Sequence, residues 1–140
     1  MIWCVEDDAS IRDIEVYALQ STGFEAKGFE DGTSFWEALR TGRPELVVLD
    51  VMLPGIDGFE VCRSLRSNIK TSHIPVIMLS ALGKNTENKI KALECGANVF
   101  IDKPFDMDFL LKQVANLIRT QQELKERYSK KYIACLLYTS

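Results

Sequence analysis

Several features that would fix a protein's class at once are missing from this sequence. Its four cysteines, Cys4, Cys62, Cys95 and Cys135, form no C-x-x-C pair, and His73 is the single histidine. A zinc site and a thioredoxin-type dithiol are therefore not expected, and the cysteines read as reduced thiols of a cytosolic chain. His73 sits in SHIP with no second ligand nearby in sequence and reads as a surface loop residue. No run of about eighteen apolar residues occurs, and the opening MIWCVEDD lacks a basic stretch ahead of an apolar one; neither a membrane span nor a signal peptide is expected, which makes the cytoplasm the expected compartment. The basic residues are not gathered into one long run and the net charge is −3, so the electrostatic attraction behind nucleic-acid binding is lacking in this chain alone.

What is present is ordinary for one globular domain. The 140 residues are 46% apolar and 26% charged, enough to bury a core without staples and too few for a second module. Short apolar runs at Ile2 to Val5, Phe24 to Phe29, Leu46 to Leu49, Pro75 to Leu79 and Val99 to Ile101 read as strands. Most are apolar at nearly every position, as in a parallel sheet covered on both faces, whereas FEAKGF is more polar and suits an edge. Between them, Ile11, Ile14, Ala18 and Leu19 mark a first helix closed by Gly23, Phe35 and Leu39 a second, Val61 and Leu65 a third, and Ile90 and Leu93 a fourth stopped by Gly96. The last helix, after Pro104, carries Met107, Leu110, Leu111, Val114, Leu117 and Ile118 on one face. Asp8 is expected to cap the first helix, and Asp57 to serve a turn near the start of the third. Five strands alternating with five helices predict an α/β fold, a doubly wound, flavodoxin-like five-stranded parallel sheet of order 2-1-3-4-5. The domain is expected over 1–118. Residues 119–132, with TQQELKERYSKK, read as a helical extension or linker, and the abruptly apolar 133–140, IACLLYTS, as a non-native or disordered tail.

Ligands of such sheets bind beyond the carboxyl ends of the strands, where strand order reverses. Strand one ends in Glu6, Asp7 and Asp8, strand three in Asp50, strand four in Ser80 and strand five runs into Lys103. A lone aspartate at a strand end is ordinarily a cap; here four strand ends deliver polar groups to one rim. Three crowded carboxylates repel unless a cation joins them. Oxygen ligands without Cys or His nearby favour Mg²⁺ or Mn²⁺, and one divalent ion plus Lys103 would neutralise Glu6, Asp7 and Asp50. Converting Asp50 to an acyl phosphate would add roughly one further negative charge, which Lys103 and the Ser80 hydroxyl are placed to answer.

Taken together, VEDD, LDVMLPGIDG, MLSA and DKPF resemble the receiver domains of two-component response regulators, over about Ile2 to Ile118. The resemblance implies a phosphoacceptor switch and not an enzyme acting on other substrates. Asp50 would be the phosphoacceptor, Asp7 a direct metal ligand, Glu6 a ligand through water and the Met52 main-chain carbonyl the third protein ligand. Ser80 and Lys103 would contact the phosphoryl group, the Lys103–Pro104 peptide would be cis, and Phe100 would be the aromatic that turns inward on activation, by packing alone because it has no hydroxyl. A sensor histidine kinase would donate the phosphoryl group, and a downstream output domain or protein would read the change around the fourth helix and fifth strand. Where many winged-helix regulators carry an acidic pair that supports a dimer, this chain has Asn98-Val99; a homodimer stays open.

Two other functions compete with this reading. A haloacid-dehalogenase-type phosphohydrolase needs a second aspartate two residues after the nucleophile, and Met52 stands there. A receiver-like interaction module that is never phosphorylated often loses part of the acidic set, which this chain keeps. Met52 and Leu82 occupy the positions that tune dephosphorylation in the receiver family, and two apolar side chains there should hinder the attacking water. The acyl phosphate is accordingly expected to outlive those of the shortest-lived receivers; a decay half-time of seconds in purified protein would contradict this.

Overall fold

The computed structural model describes residues 1–81 and 86–139, of which 128 and 130–139 are described as backbone only. Leu82, Cys135 and Ser140 thus fall outside the described side chains. The element order is β1 (Ile2–Val5), α1 (Ala9–Ser21), β2 (Ala26–Phe29), α2 (Gly32–Ala38), β3 (Leu46–Asp50), α3 (Gly58–Ser67), β4 (Val76–Ser80), α4 (Thr86–Cys95), β5 (Val99–Asp102) and α5 (Met107–Thr139). The strands form one parallel sheet of order β2-β1-β3-β4-β5, the doubly wound arrangement expected from the sequence. No described helix is long and apolar enough to cross a membrane.

Because successive strand side chains point to opposite faces, each fully apolar strand feeds two cores. Trp3, Val5, Val47, Leu49, Val76 and Met78 face α2, α3 and α4, where they meet Phe35, Leu65 and Cys95. Ile2, Cys4, Leu46, Val48, Ile77 and Leu79 face α1 and α5 and meet Leu19, Leu110, Val114 and Ile118. Each large aliphatic side chain so buried contributes about 1.5–3 kcal/mol. Around α2, Phe35 packs edge-on against Trp3 and Phe29, which are tilted against each other, with ring centroids 5.0 to 6.1 Å apart.

Helix starts follow local chemistry. Asp8 caps α1 by accepting from the amides of Ser10 and Ile11, Asp31 caps α2 through Ser34, and Asp57 caps α3 through Phe59. Gly23 and Gly96 adopt positive φ after α1 and α4, which glycine does without steric cost.

Two helix faces depart from the expected pattern. On α1, Ile14 is 57% exposed while Glu15 is buried at 1% exposure. The helix is rotated so that Glu15 and Leu19 share the inner stripe, and apolar spacing alone pointed to Ile14. On α4, Ile90 and Leu93 lie outside, and the buried side chains are Ala92 and Cys95. The second strand begins at Ala26 and not at Phe24.

Glu15 is costly where it is. One carboxylate oxygen is buried without a hydrogen-bond partner, and burial pushes its pKa up to about 7. A carboxylate whose folded pKa lies above its unfolded one favours folding below the unfolded value, and that contribution is lost as pH rises through the folded pKa. Glu15→Leu should therefore gain little relative to wild type near pH 5 and roughly 2–3 kcal/mol near pH 8, read by urea denaturation at both pH values. An equal gain at both would refute the assignment.

Candidate functional site

The residues at the carboxyl ends of β1, β3 and β5 meet as the sequence implies. Glu6, Asp7 and Asp50 each place a carboxylate oxygen within 4.8 Å of the others. Glu6 and Asp50 are buried, whereas Asp7 is exposed. From the loop after β5, the Lys103 ammonium reaches 2.7 Å from Asp50 Oδ2 and 3.2 Å from Glu6 Oε2. It lies between two carboxylates, and its peptide bond to Pro104 is cis.

Backbone contacts hold each member. The Lys103 amide donates to the Ser80 carbonyl at 2.6 Å, tying the lysine to the end of β4. Asp50 Oδ1 accepts from the Met52 amide at 3.0 Å, and Glu6 Oε1 accepts from the Asp8 amide at 3.4 Å. Gly58 opens α3 directly beneath the Asp50 loop and donates to the Val51 carbonyl at 2.8 Å. A Cβ at Gly58 would lie 2.3 Å from the Asp50 carbonyl oxygen, so only glycine permits that approach. Met52 is 59% exposed at the rim and Ser80 fully buried. Phe100 is half-buried on the α4 side of the sheet. It lines a groove of about 340 Å³ with Lys89, Ala92, Leu93, Ala97, Asn98 and Asp102.

The electrostatics are those of crowded acids sharing one base. Burial, then the neighbouring Asp50, pushes the Glu6 pKa up to about 8, against a smaller pull from Lys103. Burial alone would lower the Lys103 pKa, but the combined hydrogen bonds and attraction of Asp50 and Glu6 raise it, so the ammonium stays charged throughout the neutral range. A hard divalent ion could take the place of the proton on Glu6, since its ligands bind deprotonated. The donor set consists of oxygen atoms only, which fits Mg²⁺ or Mn²⁺.

Two supports escaped the sequence reading. Arg12, from α1, donates to the Glu6 carbonyl at 2.8 Å; its side chain crosses Gly28, where a Cβ would come within 2.7 Å of Arg12 Cγ. The pairing of a helix arginine with a strand glycine was the available signal, and its spacing in the chain hides it. Asn98 likewise has an internal task. Its side-chain oxygen accepts from the Val76 amide at 2.9 Å and from Arg66 at 2.7 Å.

Comparison with known proteins gives a consistent picture. The family model for the response regulator receiver domain matches residues 2–115. Similar curated proteins include the DNA-binding dual master transcriptional regulator RpaA of Synechocystis, 35% identical over 89% of this chain and 52% of its own length. The transcriptional regulatory protein CseB of Streptomyces avermitilis is 41% identical over 82% of this chain and 47% of its own. The DNA-binding response regulator MtrA of Mycolicibacterium paratuberculosis is 40% identical over 91% and 56%. The chain thus spans about half the length of these relatives. Among solved structures, a Francisella response regulator receiver domain superposes with a TM-score of 0.79 at 30% identity, covering 86% of this chain and 97% of its own.

Removing the shared ammonium tests the electrostatics directly. With metal chelated, Lys103→Met should cost about 2 kcal/mol near pH 8.5, where Glu6 has largely lost its proton, and clearly less near pH 6, where Glu6 holds it. Urea denaturation at the two pH values measures it, and a cost that grows toward pH 6 would reverse the sign and overturn the account.

Proposed function

This chain belongs to the response regulator receiver domain family, a phosphoacceptor signalling switch, and from that premise we propose that Asp50 is the phosphorylated residue. The observation that carries the reading is the bridge from Lys103 to Asp50 and Glu6 at 2.7 and 3.2 Å. It presents an aspartate oxygen at the rim beside a fixed positive charge. Glu6 and Asp7, with the Met52 main-chain carbonyl, would hold a Mg²⁺ ion; the ion would neutralise charge on the incoming phosphoryl group, whose transfer depends mainly on positioning and electrostatics.

The protein's own residues do the rest. Asp50 keeps Oδ1 on the Met52 amide and Oδ2 on the Lys103 ammonium. Phosphorylation exchanges one negative charge for about two, and Lys103 follows the phosphoryl oxygens. The Ser80 hydroxyl donates to them from β4, and the motion of β4 lets Phe100, on the same side of the sheet as α4, pack further inward. The altered surface is then that of α4 and β5. A sensor histidine kinase supplies the phosphoryl group in the cytoplasm. An output module, of the kind borne by the DNA-binding relatives, reads the change. The boundary of the switch at residue 118 is supported by Ile118, the last buried side chain among the described residues of α5, and by Leu124, which is 41% exposed; 119–132 would then be the connector. The segment 133–140, read as a non-native tail, has no described side chains.

Incubation of the full chain with phosphoramidate and Mg²⁺, followed by intact-mass measurement, should show addition of one phosphoryl group. The addition should vanish in Asp50→Asn and on chelation of Mg²⁺, and Lys103→Met should leave the acyl phosphate formed but the α4 and β5 amides unchanged in hydrogen exchange. Labelling that persists in Asp50→Asn would refute the assignment. No labelling from any phosphodonor or kinase would favour a receiver-like module that works unphosphorylated.

A further inference from the structure

The contact between α3 and α4 is made partly of sulfur. Cys62, on α3, is fully buried, and Cys95, at the end of α4, is 1% exposed. Cys62 Sγ donates to the Cys95 carbonyl at 3.3 Å. Cys95 Sγ lies 3.5 Å from Met78 Sδ and 3.1 Å from the Ala92 carbonyl. Cys62 Sγ thus rests on the backbone of Cys95 itself, and both are free thiols. A disulfide needs the sulfurs to close to about 2.05 Å with the two Cβ atoms about 3.5–4.5 Å apart, and the 3.3 Å contact already sets Cys62 Sγ against the residue it would join.

The remaining requirement is access, and α4 provides it. Ala92 and Cys95 are the buried side chains of that helix, while Ile90 and Leu93 face solvent. A helix fastened by two small side chains opens more readily than one carrying Leu, Val and Ile inward, and local opening exposes what it buries. Cys95 is also the side of the pair suited to react. The neighbouring Cys62 thiol and the guanidinium groups of Arg63 and Arg66 favour its thiolate, whereas the same coupling and then burial hold Cys62 protonated.

We infer that Cys62 and Cys95 form a reversible disulfide when the protein meets hydrogen peroxide, and that this bond fastens α4 to α3. The Cys95 thiolate attacks one peroxide oxygen, the O–O bond breaks, and the departing hydroxide takes up a proton to become water. The Cys62 sulfur, losing its proton, then attacks the resulting sulfenic sulfur; the S–O bond breaks and a second water leaves. The two thiols have lost two electrons and two hydrogens, and the peroxide has gained them. Cellular thiols reverse the step, so in a reducing compartment the bond is transient. The regulatory consequence rests on the reading of α4 and β5 as the surface that phosphorylation alters: a helix cross-linked to α3 would no longer answer to Asp50.

The experiment treats the full chain, native and unphosphorylated, with hydrogen peroxide, blocks free thiols, and maps peptides without reduction. The expected product links the peptides bearing Cys62 and Cys95 with the loss of two hydrogens, is removed by a thiol reductant, and is absent in Cys62→Ala and in Cys95→Ala. Hydrogen exchange of the α4 amides should slow roughly tenfold in the oxidised protein. Wild-type protein in which both cysteines remain blocked to the same extent after peroxide as before would overturn the inference, and so would a bond to Cys4 or Cys135 instead. The wild-type peptide map decides this whether or not the alanine variants fold. Phosphoramidate labelling is a separate readout: oxidised protein should still accept the phosphoryl group but show no phosphorylation-dependent exchange change in α4. If reduced protein accepts none, the phosphoacceptor assignment fails while the disulfide stands on its own map.

Discussion

The ammonium of Lys103 between Glu6 and Asp50 is the interaction on which the rest of the structure depends. It joins residues from three strand ends that are far apart in sequence, and it does so where burial makes the Glu6 carboxylate expensive to ionise. Without that cation the two acids would crowd each other across a few ångströms; with it, an ammonium and a proton on Glu6 hold the pair, and a metal could take the proton's place. The arrangement is stable and yet unfinished, since the charge around Glu6 and Asp50 can be rebalanced by a metal or by a phosphoryl group. A site that was fully satisfied by its own side chains would have no reason to respond to either.

The sheet determines how such a response can travel. Alternation along β1 and β3 places Glu6 and Asp50 in step with the residues that face α1 and α5, whereas alternation along β4 places Ser80 in step with Val76 and Met78, which face α3 and α4. The hydroxyl therefore sits where the acidic rim adjoins the other layer, beside the strand that carries Phe100. Lys103 is tied to the same point through its amide on the Ser80 carbonyl. Charge gathered on one side of the sheet thus has a short mechanical path, through the end of β4, to the helices on the other.

Much of this was legible in the sequence because the strands are apolar on both faces and end in polar residues, which is how a parallel sheet buried between helices must be written. The cap at Asp8 was legible for the same local reason, a short acceptor side chain ahead of an apolar helix having few other uses, whereas Asp57, read as a turn residue, caps α3 as well. Helix rotation was not. Ile14 fitted the apolar spacing better than Glu15, and only the packing of α1 onto the sheet, with Leu19 on the same inner stripe, turns the carboxylate inward. The exposure of Ile90 and Leu93 was hidden likewise, because periodicity shows that a helix has an apolar stripe without showing which neighbour covers it. Arg12 over Gly28 depends on two elements crossing, and spacing along the chain carries no trace of that. The polar rim could be read from strand ends; its supports required the third dimension.

The uneven fastening of the helices follows from what a switch requires. A covalent change that adds about one negative charge can shift an equilibrium only by its differential interaction with the two states, a few kcal/mol at most. An element anchored as α5 is, with Leu110, Val114 and Ile118 buried, lies beyond that reach. α4, anchored by Ala92 and Cys95, lies within it. Its outward Ile90 and Leu93 are then not a packing fault: apolar groups left off the core weaken the helix's hold while giving a partner something to bind. The same light anchoring makes the sulfur contact between α3 and α4 consequential, because one covalent bond there would outweigh everything else that holds the helix in place.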